Sequence, residues 1–239
     1  MRVLVLQHIA CEPPGAFEDV LLERGASLHR VELDEGEPLP PLEGFGAIIA
    51  MGGPMSVNDE DEHPWLREEK ALIADAVRTG VPYWGACLGV QLLASALGAR
   101  VYAGSTPEVG LLPVRLTDEG VADPVTGVLP AEVLTLQWHG DTFDLPEGAT
   151  LLVGSPAYPR QAFRVGRAYG VQFHLEVSLD MARAWAEVPD YESSLDRTLG
   201  PGSLPRLLEE IAAHEDGMRE HGRRMFEAWL DNVVATVPA

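Results

Sequence analysis

The first hundred residues alternate short apolar runs with segments of helical periodicity. The apolar runs predict four strands, at Arg2 to Ile9, Ser27 to Leu33, Phe45 to Met51 and Val81 to Gly85. The spacing of apolar positions predicts three helices, over Pro14 to Arg24, Trp65 to Arg78 and Leu88 to Leu97. Such alternation is typical of an α/β fold in which helices cover both faces of a mostly parallel sheet.

The middle of the chain has a different pattern, in which short apolar runs are separated by turns rich in Gly, Pro and Asp. This pattern predicts strands at Val101, Leu111 to Leu116, Val133 to Trp138, Leu151 to Val153, Ala162 to Val165 and Ala168 to Phe173. We expect these strands to form a mixed or antiparallel portion at one edge of the sheet.

The last sixty residues return to helical periodicity. Helices are predicted over Ser178 to Glu187 and over Pro205 to Val234, the second with a break near Gly217 or Gly222, and Pro189 to Pro205 is predicted to be a loop. An apolar stripe in the final helix is expected to pack on the sheet as core; the alternative is a surface for a homodimer or a partner. The stripe consists of Met225, Phe226, Trp229, Leu230 and Val233.

Composition narrows the functional classes. The formal net charge of −20 over 239 residues argues against a nucleic-acid partner. No apolar stretch approaches the roughly 20 residues that a membrane helix needs, so we expect no membrane association. The two cysteines, Cys11 and Cys87, do not make a disulfide framework and suit a reducing compartment, which predicts a cytoplasmic protein.

The segment Gly85-Ala86-Cys87-Leu88-Gly89 is the most informative in the chain, because it lies where a buried strand gives way to a helix. A nucleophile at such a sharp turn needs small neighbours, and the two glycines supply them. The free N–H groups at the start of the following helix favour a thiolate. Cys87 is therefore a candidate nucleophile, although a buried cysteine that packs as a small hydrophobe is the alternative.

A thiol nucleophile needs a base, and His174 is the histidine best placed to serve. It follows the apolar run Ala168 to Phe173, and Glu176 lies two residues further on. In an extended segment, residues two apart project to the same side, so the carboxylate would orient the imidazole. The alternative is a histidine at a strand end beside a solvated glutamate.

A third candidate element follows the third predicted strand, where Gly52 and Gly53 precede Pro54. Paired glycines expose backbone N–H groups, which an oxyanion site requires. Gly-Gly-Pro is also a common turn, so this segment carries little weight by itself.

Four segments together resemble the class I glutamine amidotransferases, in particular the glutaminase portion of GMP synthase. They are Gly52-Gly53-Pro54-Met55-Ser56-Val57, Gly85-Ala86-Cys87-Leu88-Gly89-Val90-Gln91, Trp138-His139-Gly140-Asp141 and Gly170-Val171-Gln172-Phe173-His174-Leu175-Glu176. The resemblance covers residues 1–180 and implies a flavodoxin-like domain there, with residues 181–239 as a helical extension packed on the same domain. It departs from the family at Leu175, where a proline is usual.

The resemblance also implies roles for individual residues. Cys87 would be the nucleophile, His174 the base and Glu176 its orienting group. The N–H groups of Gly53 and Leu88 would form the oxyanion hole. The substrate would be held by Gly52, Gln91, His139, Gly140 and Asp141.

The implied reaction is hydrolysis of the glutamine side-chain amide through a γ-glutamyl thioester, with release of ammonia and with no metal or cofactor. Because no GxxxxGK[ST] phosphate loop is present, either a separate synthetase subunit takes the ammonia or the protein is a free-standing hydrolase. The alternatives are a γ-glutamyl peptide hydrolase on the same fold and a non-catalytic interaction module. Cys11 is predicted to be an idle thiol.

Overall fold

The computed structural model describes residues 1–235, and within them nine strands form one sheet. The strands are β1 Arg2–Gln7, β2 Ser27–Glu32, β3 Ala47–Ala50, β4 Tyr83–Ala86, β5 Val101–Leu116, β6 Glu132–Phe143, β7 Thr150–Gly154, β8 Ala162–Val165 and β9 Ala168–Val171. The α-helices are α1 Ala16–Glu23, α2 Trp65–Thr79, α3 Leu88–Ala96, α4 Asp118–Ala122, α5 Leu179–Trp185, α6 Pro189–Leu199 and α7 Leu204–Trp229. A 3₁₀ turn spans Thr126–Val128, and a π-helical turn, Leu230–Val234, continues α7.

The sheet has a parallel half and an antiparallel half, in the order β2-β1-β3-β4-β9-β8-β7-β5-β6. Strands β2, β1, β3, β4 and β9 pair in parallel, whereas β9, β8, β7, β5 and β6 pair antiparallel. The parallel half has the strand order of a flavodoxin-like sheet. Both the α/β class and the antiparallel edge are therefore confirmed.

Helices cover both faces of the parallel half, because alternate residues of a strand point to opposite faces. Val3 and Val5 of β1 belong to a core cluster that includes residues of α1, α5 and α7. Leu4 and Leu6 of the same strand belong to a second cluster, with residues of α2 and α3. This burial on both sides explains why the strands of this half appear in the sequence as unbroken apolar runs.

The prediction of a loop between Pro189 and Pro205 is wrong, because α6 occupies Pro189–Leu199. Proline is favoured in the first turn of a helix, where its missing N–H costs nothing. Tyr191 and Leu195 lie one turn apart on this helix and are both buried. The helix ends at Gly200, whose φ is +90°. The residues of the helix that stay exposed are mostly polar.

The predicted break in the final helix is also wrong, since α7 runs without interruption through Gly217 and Gly222. A Cβ atom at Gly222 would lie 2.5 Å from the carbonyl oxygen of Leu175, so this glycine lets α7 lie directly on the segment after β9. The apolar stripe at the end of the helix is buried, as predicted for core, and Phe226 stacks on Phe17 with ring centroids 4.7 Å apart.

No helix within residues 1–235 is both long enough and apolar enough to cross a membrane.

The two glycines of α7 should respond oppositely to replacement by alanine. Gly217→Ala should raise the free energy of unfolding by about 0.5–1 kcal/mol, since no atom would obstruct the new methyl group and alanine favours the helix. Gly222→Ala should lower it by about 1–3 kcal/mol, because the methyl group would clash with Leu175. Urea unfolding of both variants measures the difference; equal changes would contradict the close packing at Gly222.

Candidate active site

Most of the candidate residues lie just after β3, β4 and β9, beside the end of β1, while His139, Gly140 and Asp141 belong to β6. Strands β1, β3, β4 and β9 are neighbours and run in parallel, so the segments that follow them meet at one edge of the sheet. In open α/β sheets, ligands bind at this carboxyl edge, next to the point where the strand order reverses. Here the reversal lies between β1 and β3.

Cys87 joins β4 to α3 in a backbone conformation that is rare for a side-chain-bearing residue. Its φ is +52° and its ψ is −105°, and it is the one non-glycine residue with positive φ in the described chain. Such strain persists only where surrounding structure imposes it, and it is concentrated at functional sites. The N–H of Cys87 donates to the carbonyl oxygen of Val171 at 2.8 Å, which fixes the turn against β9.

The glycines on either side of Cys87 are required by close backbone contact. A Cβ atom at Gly85 would lie 2.5 Å from the carbonyl oxygen of Gly89, and one at Gly89 would lie 2.2 Å from that of Ala50. Side chains at these positions would push α3 away from β3 and β4. The small residues predicted for a sharp turn therefore serve the packing of the helix on the sheet.

The structure brings His174, Glu176 and Cys87 together. The Nδ1 atom of His174 lies 2.7 Å from Oε1 of Glu176, and the Cys87 thiol is close enough to the imidazole to raise its pKa. Both His174 and Glu176 are buried, and the ring of Trp185 contacts the imidazole edge-on, with ring centroids 4.7 Å apart. The backbone of His174 is held to Leu136 by two hydrogen bonds, of 2.9 and 3.1 Å.

The electrostatics around His174 favour its protonated form. Burial by itself lowers the pKa of the imidazole, but the Glu176 carboxylate, helped by the nearby Cys87 side chain, outweighs burial and raises the pKa well above its ordinary value. An imidazole in this setting accepts a proton from a nearby thiol readily. The arrangement is therefore suited to a protonated imidazole at His174.

Glu12 is a second buried carboxylate beside this group. It accepts a hydrogen bond from the hydroxyl of Tyr191, and one of its oxygens occupies the space that a side chain at Gly52 would fill. Burial raises the pKa of Glu12, and the charge of Glu176 adds to this, while His174 and Tyr191 act in the opposite direction. Tyr191 belongs to α6, so this contact ties the helix to the carboxyl edge.

A cavity of about 310 Å³ opens in front of Cys87. Its lining includes seven of the residues singled out in the sequence: Gly53, Cys87, Leu88, Gln91, His139, Gly140 and Asp141. His174, Glu176 and Gly52 do not line the cavity; they are buried behind it. Of the three residues Cys87, His174 and Glu176, Cys87 is thus the one that lines the cavity.

Helix α6 forms one wall of the cavity. It contributes Asp190, Tyr191, Ser193, Ser194 and Arg197. The indole N–H of Trp138 donates to the backbone carbonyl of Tyr191 at 3.3 Å and so anchors the helix to β6. Because the sequence predicted a loop here, none of these residues was assigned to the site.

Hydrogen bonds connect two further candidates, Gln91 and Asp141, to neighbouring polar side chains. Gln91 donates to Gln172 at 3.1 Å, and the amide nitrogen of Gln172 lies 3.6 Å from the sulfur of Cys87. The hydroxyl of Ser56 donates to the Asp141 carboxylate at 2.9 Å, which joins the glycine loop after β3 to the end of β6.

Sequence reasoning missed His8, Glu12, Glu69, Gln172 and Tyr191. His8 and Glu12 follow the buried strand β1, and polar residues at the carboxyl end of a parallel strand are a usable signal. Glu69 lies in the middle of α2 and Tyr191 in α6, where neither residue stands out from its neighbours. Their importance follows only from the contacts that the fold creates.

The model of the family described as glutamine amidotransferase class-I matches residues 16–184. The chain belongs to this family. As a member of this family, the protein is a cysteine-dependent amidotransferase. Its sheet is flavodoxin-like, as in a solved structure of a glutamine amidotransferase.

Individual relatives of this amidotransferase support the assignment. It is 34% identical over 185 residues to the glutamine amidotransferase-like protein YfeJ of Salmonella typhimurium, covering 75% of this chain and 77% of that protein. It is 33% identical over 153 residues to a chain of the glutamine-hydrolysing GMP synthase of Sulfurisphaera tokodaii, covering 63% and 77%. A crystal structure of a glutamine amidotransferase from Thermotoga maritima superimposes with a TM-score of 0.86 at 33% identity, covering 97% and 98%.

The departure at Leu175 adds a contact to the amidotransferase site. The N–H of Leu175 donates to Oε2 of Glu176 at 3.0 Å, while Oε1 accepts a hydrogen bond from Nδ1 of His174. A proline at this position has no N–H to donate. Leucine therefore replaces the conformational restraint of proline with a hydrogen bond to the carboxylate.

Cys11 should react slowly with alkylating agents. It is half-buried, and burial together with the nearby Glu12 raises the pKa of its thiol to about 11. Only about one Cys11 thiol in three thousand is then ionised at pH 7.5, and the labelling rate should rise about tenfold per pH unit up to about pH 11. Mass mapping after iodoacetamide treatment measures this rate; labelling at pH 7.5 as fast as that of free cysteine would contradict it.

Proposed function

We propose that this amidotransferase hydrolyses the side-chain amide of glutamine through a covalent intermediate on Cys87. The observation that carries the proposal is the continuous contact from Glu176 through His174 to the one thiol that meets the cavity. Family membership supplies the class of reaction, and this contact supports the assignment of residues.

In the first step, the thiol proton of Cys87 passes to His174 and the sulfur attacks the amide carbon. The carbonyl oxygen becomes an oxyanion, which accepts hydrogen bonds from the N–H groups of Gly53 and Leu88. Leu88 is the first residue of α3, so its N–H has no acceptor within the helix. The His174 imidazolium then protonates the leaving nitrogen, the C–N bond breaks, and ammonia leaves behind a γ-glutamyl thioester.

In the second step, water hydrolyses the thioester. His174 takes a proton from the attacking water, the C–S bond breaks, and glutamate leaves as Cys87 recovers its proton. Glu176 stabilises the imidazolium in both steps, because its carboxylate accepts a hydrogen bond from the Nδ1–H group of His174 throughout. The Leu175 hydrogen bond keeps that carboxylate oriented.

The charges around the cavity suit the α-amino and α-carboxyl groups of an amino acid. Asp59, Asp141 and Asp190 offer negative charge to an ammonium group. Arg197 is the one lysine or arginine in the lining within the described chain, and it offers a planar guanidinium to a carboxylate. We infer a zwitterionic γ-glutamyl compound as the substrate class.

We further propose that the ammonia passes to a separate synthetase chain. The relative from Sulfurisphaera tokodaii is named as one subunit of a GMP synthase, and thus as part of an assembly. The GMP synthase of Aeropyrum pernix is 33% identical over 187 residues, which cover 76% of this chain but 34% of that protein. A mixture of this chain with a synthetase chain should therefore couple glutamine hydrolysis to amination of the synthetase's substrate.

Cys87→Ala should abolish ammonia release from L-glutamine, with kcat falling at least a thousandfold (an order-of-magnitude expectation) because no other thiol lines the cavity in the described chain. Glu176→Gln should lower kcat by about ten- to a thousandfold, since the imidazolium loses its counter-charge. A coupled glutamate assay on purified proteins measures both. Undiminished turnover by Cys87→Ala would disprove the covalent mechanism.

Comparison of two amides should identify the substrate. We expect wild type to release ammonia from L-glutamine with higher kcat/KM than it cleaves γ-glutamyl dipeptides. Mass spectrometry of the products distinguishes the two reactions, and Cys87→Ala serves as the blank for each. Cleavage of the dipeptides without glutaminase activity would show instead a γ-glutamyl peptide hydrolase.

A further inference from the structure

His8 is buried directly behind the Gly52-Gly53 loop. Its Nδ1 atom lies 3.1 Å from the carbonyl oxygen of Gly52, and its Nε2 atom lies 3.0 and 3.1 Å from the two carboxylate oxygens of Glu69. Both side chains are fully enclosed, and the ring of Trp65 stacks on the imidazole with centroids 5.6 Å apart. A buried ion pair is a poor source of stability, because removing both charges from water costs free energy. Its presence here therefore points to a purpose beyond stability.

The contacts define the protons that His8 carries. A carbonyl oxygen and a carboxylate can only accept, so the imidazole donates from Nδ1 to Gly52 and from Nε2 to Glu69. Burial by itself lowers the pKa of His8, but Glu69, with help from the Gly52 carbonyl and the Glu12 charge, raises the pKa above its ordinary value.

The Gly52–Gly53 peptide needs an external restraint. Two successive glycines leave the backbone free to rotate, because neither carries a Cβ atom that limits φ and ψ. In a trans peptide, the carbonyl and the following N–H point in opposite directions. A donor that fixes the Gly52 carbonyl therefore also fixes the direction of the Gly53 N–H, and it polarises that N–H toward stronger donation.

We propose that His8, held by Glu69, is a positioning residue that orients the Gly53 N–H toward the oxyanion formed on the Cys87 adduct. The inference rests on the proposed function, which uses that N–H as an oxyanion donor. His8 touches neither the cavity nor the sulfur; it acts through the peptide bond. Its packing is tight, since a Cβ atom at Gly53 would lie 3.0 Å from that of His8.

Two variants separate the two hydrogen bonds of His8. The side-chain nitrogen of asparagine lies where Nδ1 lies in histidine, so His8→Asn retains a donor toward Gly52. The side-chain nitrogen of glutamine lies nearer to Nε2, so His8→Gln retains a donor toward Glu69 instead. We expect kcat to fall about 100-fold in His8→Gln and to stay within about tenfold of wild type in His8→Asn.

A second readout reports the oxyanion directly. The aldehyde analogue of glutamine adds the Cys87 sulfur to give a hemithioacetal, whose oxygen occupies the oxyanion position. In His8→Gln, the affinity for this aldehyde should fall by the same factor as kcat, while KM for glutamine changes less than about threefold. A purely structural role of His8 would not produce this split.

Loss of one partner of a buried ion pair can prevent folding, so a third variant is needed. His8→Leu/Glu69→Leu replaces both charges with apolar groups and leaves no unpaired charge in the core. Its urea unfolding midpoint should remain near that of wild type, and its kcat should still fall about 100-fold because the Gly52 carbonyl has lost its donor.

The outcomes are distinguishable. Wild-type kcat in the double variant, or equal losses in His8→Gln and His8→Asn, would overturn the positioning role alone. Absence of turnover by wild type on glutamine and on γ-glutamyl dipeptides would overturn the proposed function and this inference with it. Selective loss in His8→Gln and in the double variant, matched by weaker aldehyde binding, would support it.

Discussion

The positive φ angle of Cys87 is the constraint on which the site depends. It ends β4 abruptly and directs the thiol to the carboxyl edge of the sheet, while α3 starts one residue later. The turn persists because the backbone of Cys87 is bonded to β9 and because Gly85 and Gly89 allow the helix to contact two strands. The surrounding sheet offsets the local strain, and the thiol gains a fixed position beside His174.

Around this turn, the protein buries several carboxylates, each with its own donor. Glu176 is paired with His174, Glu69 with His8, and Glu12 with Tyr191. The pair of Glu69 with His8 joins α2 to the segment after β1, and the pair of Glu12 with Tyr191 joins α6 to the same segment. Buried charges of this kind contribute little to stability, and their value lies in the geometry that they impose.

The chemistry and the shape of the cavity come from different parts of the chain. The thiol, imidazole and carboxylate lie within residues 16–184, the part that the family shares. The wall formed by α6 lies beyond it and supplies Arg197, Asp190 and Tyr191. The three side chains thus come from the part of the chain that the family model matches, whereas one wall of the cavity comes from a helix that follows it.

Local patterns were sufficient to determine the parallel strands, the turn at Cys87 and the pairing of His174 with Glu176, because each depends on residues close together in the chain. Helix α6 was not predicted, since its polar surface hides the two residues that it buries. The contacts of Tyr191 with Glu12 and of His8 with Glu69 join residues 179 and 61 positions apart. Only tertiary packing creates them. A buried charge without a partner is costly, so the packed fold places a donor beside each buried carboxylate.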